Sequence, residues 1–328
     1  MGPRSHRVWT SLCATTLLVV AHAASGCRIF GVDVPCEASG DCPSQLPHCV
    51  SGACQIERGP SESVDAGLHD AGDLSALDDE FEGARDLLLA PEPFTLLYPG
   101  RLHAIATVDG ALHVVPENPP GENYWAWFAD EYGAFLFREV SGDFAVSTRV
   151  AVHEDDSPSD PPTGLFSAGG VFVRDPTGTH AGDENSVLYT LGAQSAALGF
   201  GRTTVKTVES VSGALSNPQT FDDAALLLCR VGDVVALWWW SGSAWIPERF
   251  VDGTTEQLEA VWPEIDTSSS SPIRFTHDAL PDTLQVGLIA HTRDVVIDDF
   301  TRTRAVFDHV RFARPSSIDD CPTSIGPP

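Results

Sequence analysis

Basic side chains are scarce in this sequence. Its 328 residues carry 19 Lys and Arg against 46 Asp and Glu, a formal net charge of −27. Phosphate binding needs a basic surface, so nucleic acid is excluded as a partner. Amphipathic helices are nearly absent as well. Only Asp79–Leu89 and Glu256–Trp262 read as a turn or two of helix. Without helices to cross over, βαβ architectures fall away. Catalytic signatures are missing: there is no H-E-x-x-H, no P-loop and no G-x-S-x-G. Gly199-Phe200-Gly201 lacks the third glycine and the strand–helix frame of a dinucleotide fingerprint. The histidines are scattered without metal-ligand spacing, and no C-x₂-C pair offers a zinc site.

What is present begins with a targeting segment, residues 1–26. Arg4, His6 and Arg7 form a basic start and Val8–Val20 an apolar stretch, too short for a comfortable membrane span. It ends in Ala24-Ser25-Gly26-Cys27, which resembles a bacterial lipobox, with Ala24 where Leu is usual. Cleavage after Ala23 by an ordinary signal peptidase is the competing reading. Cysteine parity favours acylation. Of eight cysteines, Cys13 leaves with the signal. If Cys27 is lipidated, Cys36, Cys42, Cys49, Cys54, Cys229 and Cys321 remain, and all can pair in an oxidising compartment. The expectation is a lipid anchor without a spanning helix. Arg28 follows Cys27 in place of the Asp that retains lipoproteins at an inner membrane, so the outer membrane or cell surface is expected.

Residues 27–58 read as a small disulfide-rich segment, because Cys36, Cys42, Cys49 and Cys54 replace a core that so short a stretch cannot build. Residues 59–76 are small and acidic, with a loose Asp-Ala-Gly repeat, and read as a flexible linker. From residue 77 to 314 the pattern changes to many short apolar, β-branched or aromatic runs between Gly, Pro, Asn and Asp. They include Leu102–Val108, Phe144–Val152, Ser167–Arg174, Val187–Leu191, Ala225–Arg230, Val234–Trp240, Leu284–His291 and Ala305–Phe312. Such spacing predicts an all-β sandwich or barrel. Residues 315–328 read as a loose tail that Cys321 pins back to Cys229.

The most distinctive stretch is Arg230–Phe250, two aromatic runs flanking Ser241-Gly242-Ser243. That composition predicts a hairpin. Strand alternation puts Trp238 and Trp240 on one face and Trp239 on the other. One face belongs to a core; the other offers indole to a groove, a partner or another sheet.

Several runs resemble strands of concanavalin A-like jelly-roll domains. Leu77–Gly83 is similar to their opening, Ser141–Val150 to a "G-D-F-x-V-x-T-x-V" strand and Ala168–Asp175 to an "A-G-L-x-V-R-D" strand. Arg230–Trp245 resembles the "S-x-D-G-x-x-W" hairpin, without its Asp. Asp282–Leu288 and Val306–Phe312 resemble the closing strands. The resemblance implies an all-β, two-sheet antiparallel sandwich with a concave face that often binds glycans. Flat indole rings suit the apolar faces of sugars. Trp125, Trp127, Trp238, Trp240 and Trp245 are therefore the expected ligand residues, with Arg174 and Asp175 as polar partners. It also implies a structural Ca²⁺ clipping first and last strands, for which Asp78, Asp79 and Asp308 are candidates. Trp262-Pro263-Glu264-Ile265-Asp266 resembles the start of the β-glucanase "E-I-D-x-x-E" motif, but Ser268 and Ser269 stand where the second glutamate belongs.

These features together predict a secreted, lipid-anchored, non-catalytic module that binds polysaccharide or another glycan. A hydrolase with a different carboxylate pair and a structural surface protein are the alternatives.

Overall fold

The computed structural model describes residues 48–50, 53–55 and 73–328, except 118–126, 129–131, 163, 165, 179–181, 194–198, 220–222, 250–254, 257–260, 263–270, 293–301. The chain divides into two compact units, Met1–Arg58 and Gly59–Pro328. In the first, β1 (His48–Val50) and β2 (Ala53–Gln55) pair antiparallel and set Cys49 opposite Cys54. Cys27, Cys36 and Cys42, the targeting segment and the linker through residue 72 lie outside the described residues.

The second unit is a two-sheet antiparallel jelly-roll sandwich. Its front sheet has eight strands in the order β16 (Thr255–Glu256), β12 (Val211–Pro218), β11 (Phe200–Val208), β10 (Ser186–Ala193), β9 (Ala168–Arg174), β18 (Thr283–His291), β7 (Phe135–Ser141) and β4 (Thr95–Leu97). The back sheet has ten strands. Its path is β15 (Trp245–Pro247), β14 (Val234–Trp240), β13 (Asp223–Val231), β8 (Phe144–Glu154), β19 (Thr303–Phe307), β6 (Ala111–Pro116), β5 (Leu102–Val108) and β3 (Arg85–Asp86). Beside it, β17 (Arg274–Thr276) pairs with β14, and β20 (Arg311–Ala313) pairs with β8.

Alternation along the strands builds the core. Val150 and Val152 of β8, Val171 and Val173 of β9, Leu226 and Leu228 of β13, and Val286 and Leu288 of β18 all point between the sheets and are buried there. The side chains between them point outward, and both outer faces carry apolar clusters of their own. Their apolar and β-branched residues mark strands, and β5 and β14 fall on the spans the sequence indicated.

Two expectations are corrected. Asp79–Leu89 is not helical. Asp79 makes a bridge with Val310, its N–H and carbonyl each bonded at 2.9 Å, and Arg85–Asp86 pairs with β5. Phe81 and Leu87 are apolar because both are fully buried at the edge of the core, not because they share a helical face. Glu256–Trp262 is not overturned: Thr255 and Glu256 pair with β12 as strand β16, Val261 is helical, and 257–260 lie outside the described residues. The tail is ordered rather than loose: residues 318–320 form a 3₁₀ turn leading into α1 (Cys321–Ile325), and the Cys229–Cys321 disulfide holds it.

Candidate functional site

The outer face of the front sheet is set by register. Arg174 of β9 lies opposite Gln285 of β18 and Ser186 of β10; Phe172 lies opposite Gly287 and Leu188. Gly287 in turn faces Phe137 of β7. A Cβ at Gly287 would lie 2.0 Å from the Leu136 carbonyl oxygen, so only glycine allows the strands to approach this closely. Phenyl rings stand on both sides of it.

Trp127 and Tyr132 pack onto this face and form a cluster with Phe135, Phe137, Phe172, Leu188, Val205 and Ile289. The Trp127 ring centroid is 4.6 Å from Phe172 and 5.1 Å from Tyr132. Tyr98, an exposed residue with left-handed backbone, lies 6.0 Å from Trp127 and 5.5 Å from Tyr132. Beside these rings the Arg174 guanidinium lies 5.4 Å from the Trp127 ring.

Arg174 is buried and fully engaged. Its Nε and Nη2 donate to the two oxygens of Glu184 at 3.0 and 2.9 Å, Nη1 donates to Gln285 Oε1 at 2.8 Å, and Nη2 also donates to the Gly178 carbonyl at 3.0 Å. A two-pronged pair with the third nitrogen also bonded is a form in which an ion pair tolerates burial. The Tyr132 hydroxyl donates to Glu184 at 3.3 Å. Burial, and then the Glu184 charge, push the Tyr132 phenol well above its ordinary pKa, so it stays a protonated hydrogen-bond donor. Asp175 takes no part: its carboxylate accepts from the Thr177 N–H and hydroxyl, both at 2.7 Å, and caps a turn. Trp125 lies outside the described residues.

The tryptophan hairpin is not an open platform. Trp238 and Trp240 share the outer face of the back sheet and Trp239 takes the inner face, as alternation requires. Trp238, however, is buried against Leu227, Cys229 and Cys321, with Ile318 and Ile325 of the tail packed alongside. Trp240 and Trp245 are half-buried and meet edge-on at 5.4 Å, and the Trp245 indole donates to the Gly326 carbonyl at 2.7 Å. The apolar face that seemed available for a ligand is taken by the chain's own C-terminus.

Trp239 lies 4.4 Å from the Arg202 guanidinium on the opposite sheet. There Glu248 accepts from Arg202 at 2.6 and 3.0 Å, from Tyr189 at 2.5 Å and from Asn217 at 2.7 Å. With so many donors on one carboxylate, this buried group ties the sheets together.

Asp78, Asp79 and Asp308, the residues expected to hold calcium, each have partners within the chain. Asp79 accepts from both Arg85 nitrogens, at 2.9 and 2.8 Å, and from the Phe81 N–H at 2.7 Å. Asp78 accepts the Phe312 N–H at 2.7 Å, and Asp308 faces Arg149 at 3.7 Å. First and last strands are joined by the two backbone hydrogen bonds between Asp79 and Val310 and by the Arg311–Glu80 pair. Among the described residues no group of three or more His, Cys, Asp or Glu could hold a metal ion. The glucanase-like stretch after Trp262 lies outside the described residues, and Trp262 itself is a core residue. A cavity of about 400 Å³ lies away from the aromatic cluster, between residues 73–78 and the C-terminal segment. Its Arg311 is bound to Glu80, and its Arg314 to the carbonyls of Ser141 and Asp143.

No family model matches the chain, and no curated protein matches it. Solved structures with which it overlaps include a functionally unknown protein from Saccharomyces cerevisiae, at 13% identity and a TM-score of 0.45, covering 69% of this chain and 99% of that one. The β-glucanase of Bacillus licheniformis overlaps at 8% identity and 0.40, covering 74% and 99%. The xylan β-1,4-xylosidase of Bacillus halodurans C-125 overlaps at 14% and 0.40, covering 72% of this chain and 38% of the enzyme. All three lie below the similarity at which a shared substrate or activity follows.

Proposed function

We propose that this chain is a non-catalytic module that recognises carbohydrate, with the outer face of the front sheet as its ligand face. The observation that carries the reading is the grouping of Tyr98, Trp127 and Tyr132 beside the fixed polar cluster of Arg174, Glu184 and Gln285. Rings for C–H faces, with a few oriented polar groups beside them, are what a sugar site needs. Glu184 supports binding over catalysis at this face. Its oxygens are held by Arg174 and Tyr132, not paired with a second carboxyl as glycoside hydrolysis requires. Acylation of Cys27 would place the module on a cell surface at the end of the acidic linker.

Affinity electrophoresis of the full mature chain through gels containing soluble neutral polysaccharides tests the reading. Retardation by at least one of them, with no reducing ends released, is the expected result. Absence of retardation across the panel contradicts recognition, and release of reducing sugar makes the chain a hydrolase. Anchoring is tested by detergent-phase partition, which Cys27→Ser should abolish.

A further inference from the structure

Trp127 is held in an unusually costly state. Its backbone is left-handed, with φ of 62°, a region that bulky residues almost never adopt. Its indole Nε1–H is buried and has no hydrogen-bond partner. The residue is only 2% exposed, yet it sits outside the main core, on the outer face of the front sheet. Buried donors are nearly always paired, and one that is not needs a reason. Strained backbone and an orphan donor on the same side chain, in contact with Tyr98, Tyr132, Phe172 and Arg174, mark a group kept ready for something.

We infer that Trp127 is the specificity-determining residue of the ligand face. Its indole N–H is the donor for a hydroxyl or ring oxygen of a neutral, hydroxyl-rich ligand. This rests on the recognition reading above and adds to it both the residue that donates and the charge class of the ligand. Neutrality follows from the neighbouring cation. Every nitrogen of Arg174 that faces the cluster is committed to Glu184, Gln285 or the Gly178 carbonyl, so it offers no free charge to a uronate, sulfate or phosphate. The net charge of −27 disfavours acidic glycans further. Entry is from the side of Tyr98, the exposed residue of the cluster, whose ring lies 6.0 Å from Trp127.

The test uses the full mature chain, a neutral oligosaccharide from the polysaccharide it binds, and a polyuronate of similar length. Trp127→Phe keeps a ring and removes the donor; it should weaken neutral-ligand binding about tenfold. The polyuronate should bind neither protein. In ¹⁵N-labelled protein, the indole resonance missing from W127F should shift downfield on saturation, a readout independent of any change in packing. Wild-type binding that W127F retains in full, an unmoved indole resonance, or equal binding of the polyuronate would each overturn this inference while leaving recognition standing. If no glycan binds the wild type, both fail.

Discussion

Two outer faces of one sandwich carry aromatic clusters and are closed in opposite ways. On the back sheet, Trp238 and Trp245 are covered by the tail, which a buried disulfide fixes and the Trp245–Gly326 hydrogen bond seals. On the front sheet, Trp127 and Tyr132 lie over Phe172, and the Trp127 donor stays unpaired. The back face has its Trp245 donor paired and a covalent cover. The front face retains a donor with no acceptor and an exposed Tyr98 at its rim. Aromatic content alone does not distinguish a ligand face from a structural one; the pairing of the polar atoms around the rings does.

The comparison can be broken most severely at the disulfide. Cys229→Ala with Cys321→Ala opens a link across 92 residues, which should cost about 4 to 5 kcal/mol. Urea denaturation would show this, and ligand binding at the front face should survive in the fraction that remains folded. Glu184→Ala strikes the opposite face. It leaves Arg174 buried without its partner and should cost about 3 to 5 kcal/mol, while also abolishing glycan retention. A loss of stability with unchanged retention would remove the polar cluster from the ligand site.

Acid addresses the contact between the sheets rather than either face. His277 follows β17 and bonds the Thr207 carbonyl of β11 at 2.8 Å. Burial depresses its pKa from 6.5 to about 4. The unfolded chain therefore binds the extra proton first, and stability falls as pH drops from about 6.5 to about 4, by about 3 kcal/mol in all. His277→Gln should remove its share of the fall with acid, while His291 and His309, also held down to about 4 by burial, keep the rest. The smallest effect expected is that of Trp245→Phe, which loses the donor to Gly326 and should cost about 1 kcal/mol. Limited proteolysis should then cut the tail sooner without altering ligand binding.

The sandwich was legible in the sequence because its central strands are buried on one or both faces and read as apolar runs. Phe144–Glu154 and Thr283–His291 are examples. Strand β12 was not legible, since Val211–Pro218 carries Ser212, Gly213, Ser216 and Asn217 and reads as a turn; the Thr207–Ser212 and Thr203–Ser216 hydroxyl pairs show how such residues serve in a sheet. The hairpin's alternation was readable, but not its cover. The Cys229–Cys321 link already returned the tail to this sheet, but that the tail lies over Trp238 depends on packing no spacing shows. The polar cluster was half visible. Arg174 stood in a recognisable strand, while Glu184, Tyr132 and Gln285 come from separate segments with no spacing to connect them. Of the residues expected to hold calcium, Asp79 is engaged by the Arg85 guanidinium, a pairing no sequence spacing showed.

Hydrogen–deuterium exchange of the full mature chain, with and without a saturating neutral oligosaccharide, compares the two faces directly. Ligand should protect β9, β10 and β18 of the front sheet together with Trp127, and leave β13, β14 and the tail unchanged. Protection of the 234–247 hairpin instead, with the front sheet unaffected, would contradict the account.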